Sequence, residues 1–407
     1  MHSGHNHLSS LSSDKRFLLI SMAGILLGTV RWLEFLALGI FAFDITGSAF
    51  LVALLALLRF LPLTLFGLFI GGLADQIDTN KLLQLSIALI GAMSGLMAIL
   101  FILGITSYWL VAGATFLSGV FWASDTLLRR KLIGDIAGTE RLGTAMGVDT
   151  AINNVTRLIG PLIGGFIYQW FGATGVFLAA VVLYMGSYIL ALSIPRLTKS
   201  RDTLDQWVMP PLFQAKQALK YALSNREVTL LLSITIVFNI WGFPMFSLVP
   251  VIGKVELFLS PSTIGIITAL QGMAGFIGAI AIAKFAKPSH YRPIFYYSVW
   301  IILLIVFLMG ILPSSMTLAL GVAGTGFAAA GFSIMQATLI YQAAPTPMRG
   351  RIFGLLTICI GSGVLGFANI GFMAETFGAS NALWIVALEG ALLMIIIGTV
   401  WSDLTKI

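Results

Sequence analysis

The sequence predicts an all-α membrane protein of twelve transmembrane helices in two groups of six. Three observations lead to that fold class. Of the 407 residues, 58% are hydrophobic and only 10% are charged, whereas a soluble domain keeps about a quarter of its residues charged to face water. Mean hydropathy is +0.99, which makes lipid the main solvent of this chain. Apolar runs of about 20 residues, the length that crosses a bilayer, recur from end to end and are joined mostly by short segments carrying turn residues.

In order, the runs lie at 17–43, 47–73, 81–104, 107–130, 142–168, 172–194, 228–252, 262–284, 292–312, 314–341, 350–372 and 379–401. Gly and Pro occur inside several of them, as they do in membrane helices more than in soluble ones. Joints such as "DITGS" at 44–48, "GITS" at 104–107 and "LPSS" at 312–315 have room for little more than a turn. Residues 195–227 are the exception and set the domain plan. A tail at 1–16 precedes six spans at 17–194, the linker at 195–227 follows, then six spans at 228–401 and a short tail at 402–407. Within the linker, Leu212, Ala215, Leu219 and Ala222 fall at helical spacing, with Lys216, Lys220 and Arg226 towards the other side. That pattern predicts an amphipathic helix, either lying on the inner membrane face or serving as a tether between the halves. "DTLLRRKLIGDIAGTERLGTAMG" between spans 4 and 5 has an echo in "QATLIYQAAPTPMRGRIFG" between spans 10 and 11. Six plus six spans with an internal repeat is how many secondary transporters are built.

Basic residues orient the helices. With the N-terminus inside, every Lys and Arg except Arg31, Arg59, Arg157 and Lys254 falls in a cytoplasmic segment, as the positive-inside bias requires. Both termini are therefore expected in the cytoplasm, and the membrane is expected to be the inner, cytoplasmic one. The formal charge of +7 records this topology and gives no support to a nucleic-acid partner. The single cysteine, Cys359, rules out an intrachain disulfide framework and a thiolate metal cluster. His2, His5 and His7 lie in a polar end with no closing shell, so no metal site is expected. The first apolar run is too long for a signal-peptide core and has no small-residue cleavage site behind it, so it reads as a retained span. No Walker motif, HExxH or GxSxG occurs. Neither an ATP-driven cycle within the chain, chemistry on a substrate nor a cofactor is expected.

Burying an ionised group in hydrocarbon is costly, so charges inside spans face a cavity or a partner. Arg31, Arg59 and Arg157 fall near the middle of spans 1, 2 and 5. Glu34 lies three residues from Arg31 on roughly the same face, in register for a salt bridge. That pair is either a fixed structural link or one released by a proton or a substrate. Asp125 precedes the basic "RRK" at 129–131, and Asp149 returns on the next span within reach of Arg129 or Arg130, as an inner gate or a structural bridge. Asn153, Asn154 and Arg157 continue a polar path up span 5. In the second half Asn239, Gln271 and Gln336 are uncharged candidates for a cavity wall, and aromatics such as Trp32, Phe35, Trp241 and Phe243 line it or merely pack. Glu389 stands alone in "WIVALEGALLMIII".

Residues 71–81, "GGLADQIDTNK", bring in a resemblance. Gly71, Gly72, Leu73, Ala74 and Asp75 resemble the loop signature of the major facilitator superfamily between spans 2 and 3, while Asp78, Thr79 and Asn80 depart from it and leave only Lys81 of its basic half. The stretches "DITGSAFLVALLALLRFLPLTLFGLFIGGLAD", "ERLGTAMGVDTAINNVTRLIGPLIGG" and "PMRGRIFGLL" are similar to the exporters related to the enterobactin exporter, a group with multidrug-type members. Arg31 stands where those relatives commonly carry Asp. The resemblance implies the major facilitator fold, with Asp75 and the basic residues latching one conformation, and a proton-coupled exporter of siderophores, drugs or other amphiphiles. "GPLIGG" resembles a fifth-span motif of exporters, and its Gly160, Pro161, Gly164 and Gly165 permit a kink and close packing. The site expected on these grounds has three parts. Glu34, Asp125 and Asp149 are the proton-coupling candidates; Arg31, Arg59, Asn153, Asn154, Arg157, Asn239, Trp241, Gln271 and Gln336 are the cavity candidates. Gly71, Gly72, Asp75, Lys81, Arg129, Arg130 and the "GPLIGG" residues are the gating candidates.

Three central arginines favour an anionic or zwitterionic amphiphile, because the guanidinium fork suits carboxylate, phosphate or catecholate oxygens. A drug pump and a lysolipid or lipid transporter remain alternatives, and a channel or a receptor is the reading from another class. The expected partners are a small-molecule substrate, protons and the bilayer, and the chain is expected to act as a monomer.

Overall fold

Backbone polar groups in hydrocarbon must be satisfied within their own segment, which favours helices, and helices make up the regular structure of the described residues. The computed structural model describes residues 10–11, 13–76, 78–195, 211–345 and 348–400; the side chains of 67–76, 139 and 211–215 lie outside what is described. His2, His5, His7 and the tail at 402–407 fall outside it as well.

The first three helices are α1 (Lys15–Thr46), α2 (Ala49–Gln76) and α3 (Thr79–Ile102). The next helical run, Tyr108–Leu192, has 85 residues, about 130 Å at 1.5 Å per residue, against a hydrocarbon core of about 30 Å. It turns at Gly138 (φ 66°, ψ 178°) and at Gly172 (φ 61°, ψ −163°), conformations that glycine reaches without a Cβ clash. The run is therefore three crossings, α4 (108–137), α5 (139–171) and α6 (173–192). After them come α7 (Pro211–Ser224), α8 (Arg226–Glu256), α9 (Pro261–Phe285), α10 (Tyr291–Ile311), α11 (Ser315–Ala343), α12 (Arg349–Phe377) and α13 (Ala379–Val400). Among the described residues eleven helices are long and apolar enough to cross a membrane, with Glu140–Leu192 counted once. The turn at Gly172 divides that one and gives the twelve crossings expected. The joint "LPSS" stops one helix and starts the next: the Ser314 hydroxyl accepts from the Thr317 N–H at 3.1 Å and caps α11.

Two elements differ from expectation. The linker helix α7 forms, yet Leu219 is 48% exposed while Ala218 and Ala222 are buried. Small alanines let the helix sit close to its neighbours, so the buried stripe runs through them and Leu219 turns outward beside Lys216 and Lys220, both exposed. Helix α8 is not a plain helix. It passes through π turns at Phe238–Gly242 and Ile252–Glu256 and a 3₁₀ turn at Phe243–Ser247. Pro244 and Pro250 supply no N–H to the ladder, and the turns around them re-satisfy the freed carbonyls. Helix α12 also breaks, at Ser362, between Arg349–Gly361 and Gly363–Phe377.

The chain divides into two compact units. Unit 1 comprises Met1–Phe41, Leu58–Gln206 and Pro261–Ala269; unit 2 comprises Ala42–Leu57, Trp207–Ser260 and Leu270–Ile407. The core of unit 1 is built on Phe17, Ile20, Leu83, Ile87, Leu128 and Tyr184. In unit 2, Phe332 stacks on Phe238 at 4.1 Å and on Phe295 at 5.1 Å between ring centroids, and Cys359 is buried in the same core. Large apolar side chains such as Trp170, Phe171, Val182 and Leu365 are exposed, which a lipid solvent rewards and water would not.

Candidate functional site

The charges of unit 1 are buried and paired between helices. Glu34 on α1 is 1% exposed and Arg59 on α2 is 3% exposed; Arg59 Nη2 donates to Glu34 Oε2 at 2.8 Å. The Ser94 hydroxyl of α3 donates to Oε1 at 2.5 Å, and the Tyr184 hydroxyl of α6 donates to Oε2 at 3.4 Å. One carboxylate thus ties four helices together. Ser94 and Tyr184 were not singled out in the sequence, where a lone hydroxyl on an apolar helix carries no distinguishing pattern.

The expected Arg31–Glu34 pair is replaced by two others. Arg31 Nη2 donates to Asp125 Oδ2 and to the Thr126 hydroxyl, each at 3.1 Å, and the guanidinium lies 4.8 Å from the Trp122 ring centroid. Three residues on a helix are about 60° apart around its axis. In a bundle that angle is enough to send Arg31 towards α4 while Glu34 faces α2, α3 and α6.

Asp149 on α5 collects two arginines of α4. Arg129 Nη1 meets Oδ1, and Arg130 Nε donates to Oδ2 at 3.2 Å. The carboxylate and Arg129 are buried, whereas the Arg130 side chain is 53% exposed. The two pairs differ accordingly: a buried pair broken on one side leaves an uncompensated charge, while an exposed one is screened by solvent.

Arg157 has a different environment. It lies over the Trp32 ring at 4.5 Å from the centroid, and no acidic side chain pairs with it among the described residues. Asn153 and Asn154 lie one turn before it, partly buried. The "GPLIGG" residues fix this region by close backbone approach. A methyl on Gly160 would meet the Thr29 carbonyl oxygen and Trp32 Cβ at 2.7 Å each, and one on Gly164 would meet Leu33 Cα at 3.1 Å. Gly165 faces Gly265 at the start of α9, where an added methyl would lie 2.9 Å from Gly265 Cα. Pro161 lies within α5, and its carbonyl oxygen would lie 2.5 Å from a methyl on Gly265.

Of the loop signature, Gly71, Gly72 and Asp75 lie among the residues whose side chains are outside the description, and Lys81 is exposed. The residues that depart from the signature have local tasks. Asp78 caps α3, its carboxylate accepting from the Asn80 N–H at 3.0 Å, and Asn80 Nδ2 donates to the Ile194 carbonyl at 3.2 Å.

In unit 2 the polar core is nearly uncharged. Gln336 Nε2 donates to the Thr235 hydroxyl and Asn239 Nδ2 to the Thr235 carbonyl, both at 2.9 Å; Gln271 is buried. Trp241, placed by the first π turn, donates from Nε1 to Glu389 Oε2 at 2.8 Å, and Asn369 Nδ2 reaches the same oxygen at 2.7 Å. Glu389 therefore links α13 to both interrupted helices, α8 and α12. Asn369 went unnoticed in the sequence because nothing there pairs it with residue 389. Lys254 pairs with Asp44, and Glu375 accepts from the Ser48 hydroxyl at 2.8 Å. Among the described residues no three His, Cys, Asp or Glu side chains gather as metal ligands would.

Apolar crossings in both units, each unit with its own buried inter-helical polar contacts, define a polytopic helical membrane protein. The Major Facilitator Superfamily model matches residues 20–368, and the chain belongs to that family, whose members are membrane transporters of small molecules. The staphyloferrin A transporter of Staphylococcus aureus (strain NCTC 8325 / PS 47) is 24% identical over 269 residues, 63% of this chain and 64% of that transporter, so the chain spans somewhat less than two thirds of that relative. Macrolide efflux protein A of Streptococcus pyogenes is 20% identical over 312 residues, 76% of this chain and 77% of that protein. A solved POT family transporter in complex with 5-aminolevulinic acid shares the fold, with a TM-score of 0.77, 10% identity and 96% of both chains covered.

Proposed function

We propose that this transporter is a proton-coupled exporter of an anionic or zwitterionic amphiphile such as a siderophore, working by alternating access as a monomer in the cytoplasmic membrane. In this reading 17–194 and 228–401 are the two moving halves, 195–227 links them, and both termini are cytoplasmic. The observation that carries it is the set of carboxylate–arginine pairs of unit 1, each of which joins different helices. An arginine at its side and an apolar surrounding act on a carboxylate's proton affinity in opposite directions. A helix that moves such a carboxylate from one to the other therefore links proton uptake to a change of pairing. Glu34, Asp125 and Asp149 are the proton sites, and Arg129 and Arg130 close the gate at Asp149. The relatives whose names refer to staphyloferrin A and to macrolide efflux support an amphiphilic cargo.

The test is export from proteoliposomes with an imposed pH gradient. Gradient-driven transport that falls at least tenfold in one or more of Glu34→Gln, Asp125→Asn and Asp149→Asn is the expected result. Equal rates with and without the gradient remove the coupling. Full gradient-driven transport in all three variants removes these sites while leaving the coupling. The macrolide relative favours a second reading, a broad-specificity drug pump. Binding of lipophilic cations that ignores the arginines of unit 1 selects it.

A further inference from the structure

Arginine charge inside unit 1 is less available than a count suggests. Arg59 is matched by Glu34, Arg31 by Asp125 and Arg129 by Asp149. Each of these guanidiniums is committed to a carboxylate, and each pair is close to neutral as a whole. Arg157 is the exception in the middle of the α5 crossing. Its charge rests against the face of Trp32, a contact that attracts a cation through the ring quadrupole without using its hydrogen-bond donors. Among the described residues its Nε is buried with no hydrogen-bond partner, and so is Trp32 Nε1 in a residue only 9% exposed. Buried donors are nearly always satisfied, and those that are not call for a specific explanation. Two of them in one stack, at a cation that no carboxylate pairs with among the described residues, call for an acceptor that carries negative charge. Asn153 and Asn154 offer amides one turn away with no side-chain hydrogen bond to other described residues.

The stack is also held rigidly. Gly160 and Gly164 bring the α5 backbone against Thr29, Trp32 and Leu33, where a methyl on Gly160 would clash with α1 and one on Gly164 would crowd it. A binding group pre-set in this way loses little freedom when its ligand arrives.

We infer that Arg157 and Trp32 form a subsite for one oxyanion group, a carboxylate, phosphate or catecholate borne on a flat apolar body. Arg157 takes the charge and Trp32 donates one further hydrogen bond. The inference rests on the reading of an anionic amphiphile as cargo, and it narrows that reading to a single recognised negative group, because Arg31 and Arg59, the other two arginines at mid-span, are already matched. The guanidinium fork gives two parallel bonds to such a group, which lysine does not reproduce.

Equilibrium binding on the purified full-length protein in neutral detergent tests this without a proton gradient, so a failure of coupling leaves the result standing. The probes are 4-nitrobenzoate and 4-nitrobenzyl alcohol, read by quenching of tryptophan fluorescence. The acid is expected to quench saturably and to bind at least tenfold more tightly than the alcohol. Arg157→Gln is expected to weaken the acid at least tenfold and leave the alcohol within twofold. Trp32→Phe is expected to remove part of the quenching amplitude, and Lys284→Gln, an exposed lysine, to change nothing. Where Arg157→Gln does not purify as a monodisperse protein, Arg157→Lys takes its place, with a loss of at least threefold for the acid alone. Equal binding of acid and alcohol, no saturable quenching by the acid, or an acid affinity within twofold of wild type in the Arg157 variant overturns the subsite. Competition by added phosphatidylglycerol but not by inorganic phosphate, abolished in the same variant, assigns the group to a lipid headgroup and also overturns it as a substrate site.

Discussion

Unit 1 and unit 2 solve the same problem, polar groups inside an apolar bundle, with different materials. Unit 1 uses ionised pairs set on regular stretches of helix, so that Glu34, Asp125 and Asp149 each hold an arginine of another helix. Unit 2 uses neutral amides, hydroxyls and an indole on interrupted helices, with Glu389 receiving Trp241 and Asn369. Ion pairs have steep, exchangeable energetics, because losing one partner exposes the full cost of the other. Neutral hydrogen bonds on broken helices are shallower and leave the backbone itself as the part that bends. The contrast is between charge in one unit and helix geometry in the other.

The strongest way to break this comparison is to remove one member of the deepest pair. Arg59→Ala leaves Glu34 buried with only hydroxyl donors, and about 3–5 kcal/mol of stability is expected to go with it, read as a lower thermal unfolding temperature in detergent. The double variant Glu34→Ala with Arg59→Ala is expected to recover more than half of that loss. A double variant as unstable as the single one would show that the pair is not a unit.

The corresponding change in unit 2 should be milder and should depend on shape rather than charge. Glu389→Leu strands the Trp241 and Asn369 donors, at about 1–3 kcal/mol, whereas Glu389→Gln keeps an acceptor oxygen and is expected to unfold within a few degrees of wild type. Equal losses in the two variants would make the charge itself essential and erase the contrast.

Packing gives the next effect. Gly160→Ala places a methyl against two backbone atoms of α1 and the Trp32 Cβ and is expected to cost about 1–3 kcal/mol. Gly143→Ala, where an added methyl meets nothing within 4 Å, is expected to be neutral or slightly stabilising in the same unfolding assay. The smallest effect is expected from Arg130→Ala, whose side chain is 53% exposed, at no more than about 1 kcal/mol.

The crossings were legible in the sequence because hydrocarbon thickness sets a length that apolar runs must meet; Gly138 lies in the joint between the runs 107–130 and 142–168, and Gly172 opens the run 172–194. The residues that carry charge were legible too, since an arginine inside an apolar run is conspicuous. Their pairing was not. Arg31 and Glu34 are neighbours along α1, yet the 60° between them sends them to different helices, and that depends on which helices surround α1. The link of Glu389 to Trp241 was hidden for a second reason: it depends on a π turn at Phe238–Gly242, which advances the register by one residue. The Gly242 and Pro244 that accompany the turn were visible, but their consequence for residue 241 requires the backbone path. Leu219 faced the wrong way in the periodicity because alanines, which score weakly as apolar, make the closer packing stripe on α7.

The burial of Cys359 has a practical consequence. A thiol enclosed in a core is out of reach of modifying reagents, and it is the one cysteine in the chain. Any cysteine introduced at an accessible position becomes the dominant reactive handle without altering the native background. A cysteine in place of Gly143, an exposed position where an added methyl meets nothing within 4 Å, is such a handle, whereas Gly165 and Gly265 leave no room for a Cβ against the facing backbone. A label attached there reports on α5 alone while the buried Cys359 stays silent.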